Sequence, residues 1–417
     1  MKASILNIGD ELLIGQVANS NAARTAQLLT AVGIEVVHVD VCGDDADAIA
    51  DAMSKGIERG DILLMTGGLG PTKDDITKHV LCHFFDSELY ENAEALANVK
   101  RIFAARGYEL TEVNRKQAWV PRCCTMINNN EGTAPCMWFE REGKVVVAMP
   151  GVPFEMENLM QTEVVPRLCK RFHTGCIVTK NILVQGIGES FLSDLIEPWE
   201  VALPESLSLA YLPDAGMVKL RLTAKGDNRD TLQQQIATQV TYLYSIAGQY
   251  IVGEDADNLP ELVARQFRKQ GKTLAIAESC TGGSISAGLT ALAGASEYIR
   301  GGVVAYSNEV KQSVLGVHGE TLSTHGAVSE ATVRQMAEGI RQRLQSDYAV
   351  ASSGIAGPGG GSAEKPVGTV WISLATPSQT YARLLHLRGQ RKQIIAHTCN
   401  AIYAWLVRQI QKDCIGQ

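Results

Sequence analysis

Short apolar runs alternate with amphipathic stretches from the first residues onward. Ala3–Ile8 is apolar and stops at Gly9, Glu35–Val41 is rich in β-branched residues, and Asp61–Met65 and Val145–Met149 have the unbroken apolar character of strands in the middle of a sheet. Between them, Asn21–Val32 carries Ala22, Ala26, Leu29 and Val32 at helical spacing behind Asn19 or Ser20 as an N-cap, and Asp47–Ile57 has the same period. Strands alternating with helices predict a mostly parallel sheet covered on both faces. In such sheets ligands bind beyond the carboxyl ends of the strands. Asp10, Thr66–Asp75 and Pro150–Glu155 each follow a strand and are expected at one edge.

The pattern changes after about Arg171. Thr179–Val184 and Val218–Thr223 read as strands, Phe191–Trp199 and Thr231–Ile246 as helices, and the acidic stretch Gly253–Asp257 closes this region. A third region opens with a helix over Leu259–Gln270 and a strand over Thr273–Ala277. A small-residue helix follows, with Ala287, Ala291 and Ala295 on one face. Strands are predicted over Gly302–Tyr306, Tyr348–Ser352 and Thr369–Ala375, and a last helix over Lys392–Gln411. The expected fold class is α/β: two α/β sandwich domains, residues 1–170 and 258–417, joined by a small α+β connector over 171–257. A chain of 417 residues is long enough for two or three cores.

Composition narrows the classes. The formal net charge of −7, with no basic stripe, argues against direct nucleic-acid binding but not against small anions, which respond to the local field. No apolar stretch approaches membrane-spanning length, and the polar residues Asn7, Asp10 and Glu11 make the amino terminus read as a first strand rather than a signal peptide. The ten cysteines contain no CxxC pair, so neither a zinc ribbon nor a disulfide framework is expected; a cytoplasmic protein with reduced thiols is.

Two glycine-rich regions carry the candidate chemistry. In the third region, Ser279 lies where a strand turns into a helix, within Glu278-Ser279-Cys280-Thr281-Gly282-Gly283. A serine hydroxyl needs a base, and Lys311, His318, His325, His386 and His397 are the candidates. Cys280 competes as nucleophile. N–H groups around Cys280–Gly283 could hold an oxyanion, and the Gly354–Gly361 loop a phosphate. The same Ser-Cys-Thr-Gly-Gly turn could instead do no more than start a helix.

The Ala277–Gly283 turn, the Val304-Ala305-Tyr306-Ser307-Asn308 segment with Lys311, and Gly354-Ile355-Ala356-Gly357-Pro358-Gly359-Gly360 together resemble the C-terminal domain of the CinA family. The resemblance implies a nicotinamide mononucleotide (NMN) deamidase without metal or organic cofactor. It casts Ser279 as nucleophile, Lys311 as base and Tyr306 as an orienting group. Thr281, Gly282, Gly283, Ser353, Gly354, Gly357, Gly359, Gly360 and Arg391 would hold the nucleotide, with Arg388 as Arg391's rival for the phosphate.

Residues 1–170 resemble the other CinA-family domain, which is related to molybdopterin-binding proteins, through Gly9–Gly15, Asn19-Ser20-Asn21, Thr66–Thr77 and Pro150–Met156. This resemblance implies ADP-ribose pyrophosphatase activity, dependent on a divalent metal such as Mg and helped by K⁺. Asp10, Asp74 and Asp75 would be the metal ligands, and Asn19, Asn21, Gly67, Gly68, Gly70 and Thr72 would line the nucleotide site. The alternative is a nucleotide- or pterin-binding module with a partner-mediated role in competence and DNA uptake. The family context also implies a homodimer.

Overall fold

The structure, a computed structural model, describes residues 1–72, 75–172 and 175–415. The chain divides into two compact units, Met1–Val178 with Ala224–Gln233 and Thr179–Thr223 with Gln234–Gln417.

The first unit holds strands β1 (Lys2–Ile8), β2 (Glu35–Cys42), β3 (Ile62–Thr66), β4 (Leu89–Glu91), β5 (Trp119–Pro121), β6 (Thr125–Ile127), β7 (Cys136–Arg141) and β8 (Lys144–Met149). Six of them form one sheet in the order β2-β1-β3-β8-β7-β6, while β4 and β5 pair separately. β2, β1, β3 and β8 run parallel, and β7 and β6 add an antiparallel edge. The period-two pleat explains why β3 is apolar throughout. Leu63 and Met65 pack with Ile49 and Met53 on one face, and Ile62 and Leu64 with Leu29 and Leu159 on the other. The edge strand β2, by contrast, alternates between half-buried and exposed positions.

The second unit contains two sheets. β9 (Cys176–Gln185), β10 (Leu207–Asp214), β11 (Met217–Gly226) and β12 (Ile251–Glu254) are arranged β10-β11-β9-β12. β13 (Leu274–Glu278), β14 (Ile299–Val304), β15 (Tyr348–Gly354), β16 (Thr369–Ala375) and β17 (Thr380–His386) are arranged β14-β13-β15-β16-β17. β13 lies between two parallel neighbours, and β16 and β17 add antiparallel strands. Its large residues Leu274 and Ile276 enter one core, and the small Ala275 and Ala277 face the other, against Val333, Met336 and Ile340 of the helix Glu330–Leu344.

One element differs from the sequence pattern. The helix after Ser279 covers only Ser284–Thr290; Ala291 is its C-cap, and Ala295 belongs to a separate 3₁₀ turn that follows Gly294 in the left-handed region. Ala287, Ala291 and Ala295 therefore do not form one helical face. No helix among the described residues is long and apolar enough to cross a membrane.

Candidate active sites

The carboxyl ends of β13, β14 and β15 converge on Ser279. Its N–H donates to Ser352 O at 3.1 Å, and the Ala305 N–H donates to Glu278 O at 2.7 Å, so both neighbours clamp the point where β13 ends. Beyond β14, Ser307 caps the helix Asn308–Ser313, which carries Lys311 inward. Lys311 is 1 % exposed, and its Nζ lies 3.1 Å from Ser279 Oγ, 2.8 Å from Ala305 O and 3.1 Å from Tyr306 O. Burial pulls the lysine below its ordinary 10.5, against the opposing pull of Cys280 and Glu309. With two N–H bonds directed at the carbonyls, a neutral amine aims its lone pair at the serine; an ammonium fills all three directions. Either protonation state fits without rearrangement.

Ser279, Tyr306, Asn308, Lys311, Ser353 and Arg391 are among the residues around a cavity of about 220 Å³. Arg391 donates to Gly357 O at 2.9 Å and to the Tyr306 hydroxyl at 3.1 Å, which fixes its guanidinium at the rim. Arg388 is not in the wall, and none of His318, His325, His386 and His397 is either. Cys280 does reach the wall, but burial first and the Glu278 charge among lesser causes push its thiol up to about 11, so it stays protonated near neutrality. Tyr306 meets the lysine it was expected to orient. Its carbonyl, not its ring, meets the lysine, and its hydroxyl holds Arg391.

Several residues expected to bind substrate lie behind the wall. Thr281 is buried and shares a hydrogen bond of 2.7 Å with Ser352 Oγ. Gly282 and Gly283 turn the chain at φ 61° and 99°, and their N–H groups donate to Ser279 O and Glu278 Oε2. Among the described residues, the turn's N–H groups without a partner are those of Cys280 and Thr281. In the second loop Gly354 and Ala356 reach the cavity, whereas Gly357 contributes a carbonyl to Arg391, and Gly359 and Gly360 stand outside the wall. Ser353 reaches the cavity while donating to Ala327 O at 2.7 Å.

In the first unit, the loops after β1, β3 and β8 meet around a cavity of about 410 Å³, whose wall includes Asn19, Asn21, Gly67, Gly68, Gly70, Thr72 and Asp75. Gly67 is required by close approach, since a Cβ there would stand 2.1 Å from Ile8 O at φ +108°. Asn19 caps the helix Ser20–Ala31 through Oδ1 and donates to Asn7 Oδ1 at 3.2 Å. Asn21 donates to Gly151 O at 2.7 Å, and its Oδ1 is buried without a partner, which leaves it as an acceptor for a ligand.

Of the three expected metal ligands, Asp10 and Asp75 fall among the described residues. Asp74 lies outside the described residues. Asp75 accepts from Gly70 N at 2.7 Å, Thr72 N at 2.8 Å and Thr72 Oγ1 at 2.6 Å, so its carboxylate builds the loop. Asp10 is not in the wall; it exchanges backbone-to-carboxylate bonds with Asp44, whose own pKa is raised, by burial first. Among the described residues no three His, Cys, Asp or Glu side chains form a metal-holding group. The described residues by themselves, Asp74 lying outside them, do not assemble a protein-held cation site. The same bonds occupy the Gly70 and Thr72 N–H groups, whereas those of Gly68 and Leu69 have no partner among the described residues.

Three contributors escaped the sequence reading. Asn7 joins Asn19 to Thr66. Glu278, wholly buried, accepts from Gly283 N, Ile285 N, Ser286 N and Ser286 Oγ. Lys78 is buried against Gln117 O at 2.8 Å, while the Gln117 amide holds Leu69 O; burial brings this lysine down to about 8 against the pull of Asp75. A buried polar residue inside an otherwise apolar or helical pattern was the only available signal for each.

Three family models match the chain. "CinA C-terminal domain" covers residues 256–410, "Probable molybdopterin binding domain" 4–170 and "Damage-inducible protein CinA KH domain" 179–253. A CinA-like protein of Cytophaga hutchinsonii is 43% identical over 98% of each chain, and one of Flavobacterium psychrophilum 38% identical over 99% of each. Among solved structures, a competence/damage inducible protein from Agrobacterium tumefaciens is 40% identical and covers 37% of this chain and 96% of its own, with a TM-score of 0.36.

Proposed function

Because the chain belongs to the CinA family, we propose that its C-terminal domain is an amidohydrolase that converts NMN to nicotinate mononucleotide and ammonia. The observation that carries this reading is the buried Lys311 Nζ 3.1 Å from Ser279 Oγ, at a cavity that Arg391 also borders. An amine next to a hydroxyl, shielded from water, is a general base for a nucleophile, and a guanidinium at the rim suits a nucleotide phosphate.

The steps follow from the geometry. Neutral Lys311 takes the Ser279 proton as Oγ bonds to the carboxamide carbon. The oxyanion so formed meets the N–H group of Cys280, the turn residue after Ser279 that borders the cavity. The Lys311 ammonium gives its proton to the departing nitrogen, the C–N bond breaks, and ammonia leaves an ester on Ser279. Water then attacks that ester while Lys311 takes its proton, and the proton returns to Oγ as the nicotinate product departs. Incubation with NMN should release ammonia and nicotinate mononucleotide in equal amounts, and Ser279→Ala should lower the rate by roughly 10³-fold or more. Undiminished turnover in Ser279→Ala would remove Ser279 from the nucleophile's role.

The first unit supports a second reading, a site for ADP-ribose or a related nucleotide, carried by the cavity beyond β1, β3 and β8, where Asn21 Oδ1 and the N–H groups of Gly68 and Leu69 have no partner among the described residues. Mixing protein, ADP-ribose and Mg²⁺ distinguishes a pyrophosphatase, which yields AMP and ribose 5-phosphate, from a binding module, which retains the nucleotide intact.

A further inference from the structure

We propose that Glu278 is a positioning residue for the deamidation, holding the turn that presents Ser279 and the oxyanion donor Cys280 through the four hydrogen bonds its carboxylate accepts. The inference rests on the deamidase reading and adds a role for a residue that touches neither substrate nor the reacting atoms.

Glu278 is the last residue of β13, and the nucleophile follows it. Its main chain is tied to the sheet through the Ala305 N–H. Its side chain reaches across the turn to the next helix. Oε2 accepts from Gly283 N at 3.0 Å and Ile285 N at 3.1 Å; Oε1 accepts from Ser286 N at 2.9 Å and Ser286 Oγ at 2.7 Å. One residue thus brackets Ser279–Gly282 at both ends, fixing where Oγ and the free N–H group of Cys280 stand. It is 0 % exposed and has no cationic partner within ion-pair distance among the described residues. The titratable groups that feel its charge are Cys280, Cys399 and Tyr403, each pushed up by burial first. A carboxylate buried among neutral groups and held only by N–H and O–H donors is an arrangement that apolar packing alone would not require.

The roles separate in Glu278→Gln. Each carboxylate oxygen faces two donors, so an amide NH₂ at either position opposes donors with donors and releases one side of the turn. Misplacing an attacking atom by about 1 Å costs on the order of a hundred-fold in rate. The expected result is kcat down about 100-fold with the Kd for NMN within twofold, because Arg391 and Ser353 are untouched. Covalent labelling of Ser279 by a small alkyl fluorophosphonate should slow in parallel. Ser286→Ala, which removes one of the four donors, should lower kcat several-fold in the same pattern and guards against loss of folding in the first variant.

If both variants keep wild-type kcat and labelling rates, or if each loses melting temperature and NMN affinity in proportion to kcat, Glu278 only supports the fold and the proposal is wrong. Should the wild-type protein label at Ser279 yet leave NMN intact, the substrate assignment fails, while the labelling comparison still decides the role of Glu278.

Discussion

At the scale of single residues, the proposed chemistry depends on Lys311. An ordinary lysine is protonated at neutral pH and cannot act as a base. Burial disfavours its charged form, so a larger fraction of the amine is neutral than in water. The active form is the deprotonated one, so kcat/KM should rise with pH along a limb whose midpoint lies below the ordinary lysine value of 10.5. Lys311→Arg keeps the charge but cannot lose its proton in this range. It should lower kcat by about 10²–10⁴-fold and remove the limb; a pH-rate profile of both proteins checks this. Cys280 gives the complementary case. A thiol held near 11 offers little thiolate at neutrality, so Cys280→Ala should keep kcat within a few-fold of wild type if packing holds.

At the scale of elements, strand ends and glycine turns do the positioning. The phosphate-type loop after β3 is held from inside by Asp75, and Asp75→Ala removes three hydrogen bonds at once. Hydrogen bonds to a charged group contribute about 1.5–3 kcal/mol each, so the loop should lose its shape and ADP-ribose its affinity, as calorimetric titration would show. Lys78 places a buried cation behind that loop. Below about 8 it is charged and favours an anion; above, it is neutral. The affinity for ADP-ribose should therefore weaken as pH rises through about 8, and this dependence should vanish in Lys78→Met. The sign for stability is opposite. The folded state binds fewer protons than the unfolded state between about 8 and 10.5, so the cost of burying Lys78 falls as pH rises through that window.

Much of this was legible in the sequence. Apolar runs marked β1, β3, β8 and β13, and the residues just beyond β1, β3 and β8 meet at one cavity while those beyond β13 border another, as parallel-sheet rules require. The Ser279–Lys311 pair was legible as residue types, and the fold brings them together across 32 positions. What the sequence left hidden was occupancy. Period and spacing place Asp75, Thr72, Gly70 and Gly283 near a site, but they do not say whether a donor or acceptor is already taken by a neighbour. Asp75 is the example: a carboxylate that looks free in one dimension is building its own loop in three. The small-residue face after Ser279 failed for a different reason, because Gly294 turns the chain before Ala295 can join the helix.

At the scale of the whole molecule, the two proposed sites stand on separate cores. The cluster around Ile62, Leu64 and Val147 and the cluster around Ile276, Val350 and Ile372 draw on different sheets. Ser279→Ala should therefore leave ADP-ribose affinity unchanged, and Asp75→Ala should leave NMN turnover unchanged. The most direct test of the central claim is to quench the protein during NMN turnover and map its peptides by mass spectrometry. The account predicts an added mass equal to NMN less ammonia on the peptide carrying Ser279, absent from the Ser279→Ala protein. Ammonia released at the wild-type rate with the adduct on another residue, or with the same adduct formed in Ser279→Ala, would contradict it.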